Sequence, residues 1–389
     1  MPNEPRASNA LGELAWVFLK LGTIGFGGPA AHIALMEEAV VRRRGWLTHA
    51  QFLDLLAATN LIPGPNSTEL AIHVGHARAG WPGLSVAGVC FILPAMLIVM
   101  AIAWAYVTFG TLPAITNMLA GIKPVIIAIV IQALWGLTRS ALKTRFLAVL
   151  AVVAFVASLL GAPELGILFA AGTLMAFRRW LGDRKPPDRN MAGFALVLGP
   201  ALAAPPAAAG LTPFGLWPLF WFFLKVGSVL FGSGYVLLAF LRTGLVERFG
   251  WLTEGQLLDA IAVGQITPGP VFTTATFIGY LLGGPVGAVI ATIGIFLPAF
   301  FFVAISGPLV PRLRQSPLAG AALDGVIAAS LALMAAVTLQ LTRTAWVDSL
   351  TIGIGVVSIV CLIRFKPNPA WLITAGALLG VASELIRRG

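Results

Sequence analysis

Three ionisable side chains, Glu69, His73 and His76, fall at i, i+4 and i+7 of one apolar stretch and so on one face of a helix. That spacing suits metal ligation, a proton relay, or a polar stripe facing a water-filled cavity. His32, shortly after Pro29, is a further proton carrier by residue type, which makes His32, Glu69 and His73 the coupling candidates. Lys20 and Lys225 also stand inside apolar runs, where a charge at the span centre costs about 2.5–3.5 kcal/mol. Snorkelling relieves that cost; a shared role would be to draw an anion toward each side of a pocket. Just before Glu69 the chain reads Pro63-Gly64-Pro65, which removes backbone donors and stops a helix. Asn66, Ser67 and Thr68 then begin a new one. Unpaired amides at such a start, with the positive dipole end behind them, form an anion site. The chemistry indicated is anion binding inside a membrane.

The break occurs twice. GWLTHAQFLDLLAATNLIPGPNST at 45–68 returns as GWLTEGQLLDAIAVGQITPGPVFT at 250–273, an offset of 205 residues. The second copy supplies Gly269 between its prolines, then Thr273 and Thr274; Gln265 stands where the first copy has Asn60. Upstream, Gly25-Phe26-Gly27-Gly28-Pro29 pairs with Phe231-Gly232-Ser233-Gly234, and the two lysines also differ by 205. Such glycines permit close backbone approach, for helix packing or for lining the same cavity. Beyond the break the offset becomes 204, matching Gly75 with Gly279 and Leu93-Pro94-Ala95 with Leu297-Pro298-Ala299. The candidate binding set is therefore Lys20, Gly27, Gly28, Asn60, Gly64, Asn66, Ser67, Thr68, Lys225, Gly232, Ser233, Gln265, Gly269, Thr273 and Thr274.

These residues must be carried by membrane helices. The chain is 58% hydrophobic and 10% charged, far below the ~25% charge of a soluble protein. The expected fold is an all-α polytopic membrane protein with about thirteen apolar segments: 11–36, 50–79, 82–109, 113–138, 146–161, 163–180, 192–210, 214–241, 255–283, 285–307, 319–342, 346–363 and 369–386. Residues 1–180 form a first transport repeat and 214–389 a second, with helices broken at Gly-Gly-Pro and Pro-Gly-Pro. Between them, 181–213 holds a basic linker and one connecting segment. An odd segment count before the second copy inverts it, the plan of secondary transporters with a midplane site. Of 22 basic residues assigned outside the spans, 16 fall on the side of the N-terminus, which predicts a cytoplasmic N-terminus and a periplasmic C-terminus. Turning the broken segments into re-entrant hairpins changes that balance little, so charge does not separate the two layouts. Thr48-x-x-Gln51 and Thr253-x-x-Gln256 read as capping boxes, with Asp54 and Asp259 one turn further on. Either aspartate could pair with a membrane-facing base or sit at headgroup level.

Other classes find little support. The net charge of +10 follows from basic loops rather than a nucleic-acid face. Cys90 and Cys361 sit in apolar runs and form neither a disulfide framework nor a metal motif. No cleavable leader is indicated at 1–14, and no HExxH or nucleotide loop occurs. No cofactor and no resident metal are expected, and the chain does not read as an enzyme. A passive anion channel, or a metal-dependent membrane enzyme using Glu69, His73 and His76, are the alternatives. The expected partners are the lipid bilayer and an oxyanion, with a homodimer left open.

At these residues the chain resembles the chromate ion transporter family in its long, two-repeat form. The resemblance lies in FGGP with a following His at 26–32, RRRGWLT at 42–48, FLDLLAATNLIPGPNSTELAIH at 52–73 and AGWPG…FILP at 79–94. It continues in FGSGY at 231–235 and GQITPGPVFTTATFIGY at 264–280. It implies gradient-driven export of chromate from the bacterial cytoplasm across the inner membrane, with sulfate as a similar oxyanion.

Overall fold

The repeated helix starts form as their sequence demands. Thr48 Oγ1 accepts from the Gln51 amide at 3.2 Å and Gln51 Oε1 accepts from the Thr48 amide at 2.9 Å. Thr253 and Gln256 repeat the pair at 3.2 and 2.9 Å. The computed structural model describes residues 7–26, 28–110, 112–182, 213–231, 237–365, 367 and 369–388. Gly27, Gly232, Ser233 and the predicted connecting segment at 192–210 lie outside them.

The chain is helical, with no strand among the described residues. In order come α1 (Ala7–Ile24), α2 (Gly28–Glu37) running into a π turn (Glu38–Arg42), α3 (His49–Thr59), α4 (Asn66–Phe109), α5 (Pro113–Ala141), α6 (Arg145–Leu159) and α7 (Glu164–Gly182). The second half has α8 (Leu216–Val229), α9 (Leu237–Leu241) with a π turn (Arg242–Arg248), α10 (Glu254–Ile266), a 3₁₀ turn (Val271–Thr273) and α11 (Thr274–Gln315). It closes with α12 (Pro317–Ala345), α13 (Ser349–Arg364) and α14 (Pro369–Arg388). Among the described residues, four stretches are long and apolar enough to cross a membrane: Asn66–Phe109, Ile115–Arg139, Val271–Ser306 and Pro317–Ala345.

Two of those four are bent back on themselves. In α4, Ala79 (φ −144°, ψ 23°) and Gly80 (φ 63°, ψ −147°) leave the helical region. In α11, Gly283 (φ −140°, ψ 21°) and Gly284 (φ 61°, ψ −155°) do the same, at an offset of 204. Thr276 and Thr292 share a hydroxyl–hydroxyl hydrogen bond of 2.7 Å although 16 positions apart; a straight helix would hold them about 24 Å apart. A Cβ on Gly75 would lie 2.2 Å from Gly83 O, and one on Gly279 would lie 2.3 Å from Gly287 O. Each stretch is therefore an antiparallel helical hairpin closed by small residues. The first arm, 66–78, is only about 20 Å long, short of the ~30 Å hydrocarbon core; the second arm is long enough to span.

The chain divides into two compact units that do not coincide with the repeats. One comprises Met1–Ala105, Phe214–Gly234 and Val263–Pro308. Its core includes Leu14, Phe18, Met36, Phe52, Leu70 and Phe91. Gly22 packs on Phe91 O and its repeat counterpart Gly227 on Ile295 O. The other unit comprises Tyr106–Pro213, Tyr235–Ala262 and Leu309–Gly389, and within it α12 packs on α5, α6 and α7 while α5 packs on α13 and α14. A Cβ on Gly121 would lie 2.1 Å from Gly376 O, the close backbone contact that small residues provide where lipid, not water, surrounds the helices. Exposed apolar side chains such as Val152, Val153, Val357 and Trp371 suit a lipid surround.

Candidate functional site

Both Pro-Gly-Pro breaks lie in the first unit, and each is pinned by the opposite half of the chain. The Gly64 amide donates to Leu230 O at 2.7 Å, at the end of α8. The Gly269 amide donates to Gly25 O at 2.9 Å, at the end of α1. Gly64 and Gly269 differ by 205 positions, and so do Gly25 and Leu230, so each bond is the repeat image of the other. Both glycines have positive φ (143° and 86°). The same crossing governs packing: a Cβ on Gly64 would face Ala299 at 3.7 Å, and one on Gly269 would face Ala95 at 2.5 Å.

Each break releases a fresh helix start. In α4 the amides of Thr68 and Glu69 turn back to Pro65 O at 2.8 and 3.0 Å, leaving those of Asn66 and Ser67 beyond reach of any helical carbonyl. In the second copy the Thr273 amide bonds Pro270 O at 3.0 Å, which puts Val271 and Phe272 in the equivalent position. Two amide-bearing helix ends are thus built into one unit.

The side chains around the first break are buried and underused. Glu69 is 0% exposed and neither carboxyl oxygen has a hydrogen-bond partner. Thr68 Oγ1, Asn66 Oδ1 and His73 Nε2 are likewise buried without a partner, as is Gln265 Nε2 just ahead of the second break. Leaving such groups unsatisfied costs about 1–3 kcal/mol each, so their concentration here is polar capacity open to a hydrogen-bonding guest. Asn66 Nδ2 donates to Asn60 Oδ1 at 2.8 Å, joining two of the predicted residues. His32 donates from Nε2 to Gly25 O at 2.8 Å, the same carbonyl that receives the Gly269 amide, so His32 braces the second break; its Nδ1 is buried and unpartnered.

Not every predicted residue converges. Thr273 Oγ1 and Thr274 Oγ1 donate to Pro270 O and Val271 O, both at 2.8 Å, so their protons are engaged. Lys20 is exposed and lines a cleft of about 510 Å³ with Glu13, Glu38, Arg43 and Arg44, whose lining includes no residue of either Pro-Gly-Pro break. Lys225 is half-buried on α8 and Ser67 is buried at the start of α4. Gly28 has φ 77° with nothing within 4 Å of a Cβ. His76 is exposed and meets the edge of Trp81 at 5.4 Å. Among the described residues no group of three His, Cys, Asp or Glu could hold a metal ion; Glu69, His73 and His76 share spacing but do not converge, because His76 turns outward.

The second unit holds polar clusters that sequence reading undervalued. Asp259, 4% exposed, receives the Tyr106 hydroxyl on Oδ2 at 2.9 Å and has Lys123 Nζ 3.3 Å from Oδ1. Arg242 donates to Glu254, Glu247 and Gln340, and Thr344 donates to Glu254 at 2.8 Å. The only advance signal was the presence of lysine and aspartate inside apolar runs.

The family model described as chromate transporter matches residues 12–177 and again 217–381. The "chromate transport protein" of Cupriavidus metallidurans is 36% identical over 380 residues, 95% of this chain and 92% of that protein. The "probable chromate transport protein" of Synechococcus elongatus is 32% identical, covering 96% of this chain and 95% of its own. The "chromate transport protein" of Pseudomonas aeruginosa is 32% identical over 93% and 90% respectively. No solved structure matches the chain. Two matches of one family model, one per half, together with full-length relatives, place this chain in the chromate transporter family, a family of transport proteins rather than enzymes.

Proposed function

We propose that this protein is a secondary transporter that exports chromate, or a sulfate-like tetrahedral oxyanion, across the bacterial inner membrane. Thirteen segments in two inverted repeats, with a cytoplasmic N-terminus and a periplasmic C-terminus, are the topology of this reading. The observation that carries it is the crossed pair Gly64–Leu230 and Gly269–Gly25. Reciprocal contacts of this kind are what a two-fold relation between halves produces, and inverted repeats meeting at a midplane site are the plan of secondary transporters.

The substrate would lie between the two helix starts, held by the amides of Asn66, Ser67, Val271 and Phe272. The Thr68 hydroxyl and the side chains of Asn60, Asn66 and Gln265 would add hydrogen bonds. Thr273 and Thr274 join only by rotating their hydroxyls away from Pro270 O and Val271 O. Gly28, and Gly27, Gly232 and Ser233 outside the described residues, stay in the candidate set on their sequence alone. Lys20 and Lys225 supply attraction from outside the break, Lys20 from its own cleft. Glu69 beside Gly64, with His32 and His73, are the coupling candidates of this site. The relatives' names supply chromate as the substrate; a doubly negative tetrahedral guest suits amide donors flanked by helix dipoles.

The test is labelled chromate uptake into inside-out vesicles, with and without an imposed gradient and with excess sulfate. Uphill accumulation that requires the gradient and is reduced by sulfate is the expected result. Flux that no gradient drives uphill would replace the transporter with a passive channel.

A further inference from the structure

We infer that Tyr106, Asp259 and Lys123 form a second proton-carrying site, beyond the Glu69, His32 and His73 candidates of the oxyanion site, through which transport is coupled to the proton gradient. This rests on the transport reading above. Asp259 is almost fully buried, yet it is the meeting point of a phenol at 2.9 Å and an ammonium at 3.3 Å. Ionisable groups inside a membrane are costly and mark proton relays or substrate paths. The surrounding charges are already spoken for. Glu254, earlier on the same helix α10, is held by Arg242 and Thr344; Arg242 also takes Glu247 and Gln340; on α12, Asp324 is paired with Lys143. Lys123 and Tyr106 are the partners that face Asp259 itself.

The triad exists once although its aspartate exists twice. Asp54 is the counterpart of Asp259, but the positions matching Lys123 and Tyr106 are Ile327 and Val310, and Asp54 is exposed. A helix start and its cap are needed in both copies and recur in both. A coupling charge is needed once per cycle, and this one occurs in a single copy. Along the chain, α10 runs without interruption from Asp259 to Ile266, and Pro268-Gly269-Pro270 follows.

In the step itself, water on one face gives a proton to an Asp259 carboxylate oxygen. That O–H bond removes the negative charge that attracts the Lys123 ammonium, while the neutral carboxyl still accepts from the Tyr106 hydroxyl. Release of the same proton to water on the other face restores the triad. Nothing is oxidised or reduced, and one proton crosses per cycle.

Proteoliposomes enclosing a pH-sensitive dye separate the two functions. Wild-type protein should exchange labelled for unlabelled chromate and should move protons with net chromate flux. Asp259→Asn should keep exchange while proton movement falls by roughly tenfold or more; Lys123→Met should shift the pH dependence of net flux and keep exchange. Absence of exchange in the wild type would sink the transport reading itself. Wild-type exchange with no dye response, or an Asp259→Asn response equal to wild type, would overturn the coupling site. Loss of exchange in Asp259→Asn, whether or not Asp259→Asn with Lys123→Met restores it, would make the pair structural or substrate-binding and would overturn it too.

Discussion

Replacing Gly64 by alanine tests the build of the first break. A Cβ there would sit 2.3 Å from Glu69 Oε1 and 3.1 Å from Glu69 Cδ, so the carboxyl must retreat by about 1 Å within a close-packed interior. Overpacking of this kind costs about 1–3 kcal/mol, and alanine at φ 143° adds about 1–3 kcal/mol of backbone strain. The expected loss is therefore about 2–6 kcal/mol. Gly45 is the control, because it has φ 60° and nothing within 4 Å of a Cβ, so Gly45→Ala carries only about 1–2 kcal/mol of strain. Detergent-solubilised variants are compared by thermal unfolding followed by size-exclusion fluorescence. Shortening the obstacle in a Glu69→Ala background should return the crowding part of the Gly64→Ala loss, whereas Gly269→Ala, opposed by Ala95 Cβ at 2.5 Å, should gain nothing from it. If Gly64→Ala melts with Gly45→Ala, or if the Glu69→Ala background changes nothing, Glu69 does not fill the break as described.

Glu69→Gln keeps shape and burial, so the fold should stay within about 1 kcal/mol of wild type while chromate transport in vesicles drops; unchanged transport would remove Glu69 from the site. Thr292, whose hydroxyl donates to Ala288 O at 2.7 Å, accepts from Thr276, so Thr292→Val alone should cost about 1–3 kcal/mol by orphaning the buried Thr276 hydroxyl, and adding Thr276→Val should recover most of it, read as a double-mutant cycle in thermal unfolding. Thr48→Ala and Thr253→Ala each remove a capping box and should cost about 1 kcal/mol apiece, nearly additively. Arg242→Met leaves Glu254 with only the Thr344 hydroxyl of these partners and should lower stability by about 1–3 kcal/mol, measured by the same melt; a loss below that of the cap variants would show the cluster to be solvated.

Class, repeats and breaks were open to sequence reading because they depend on local chemistry. Apolar length, proline's missing donor and the Thr-x-x-Gln cap act within a few residues, and the 205-residue echo exposed them twice. The residues around Gly64 were nameable for the same reason. What local chemistry cannot reveal is which distant partner each break finds. The bonds from Gly64 to Leu230 and from Gly269 to Gly25 are made by backbone atoms, which carry no residue-type signature. His76 shares its helical face with Glu69 yet turns outward, and Lys20 faces a different cleft from the one its repeat symmetry suggested. Asp259 looked like its twin Asp54 until packing gave it Lys123 and Tyr106 from 136 and 153 positions away. Sequence determined that this protein interrupts two helices within an apolar chain; only tertiary structure decided what those interruptions touch, because burial and pairing depend on neighbours that lie far off along the chain.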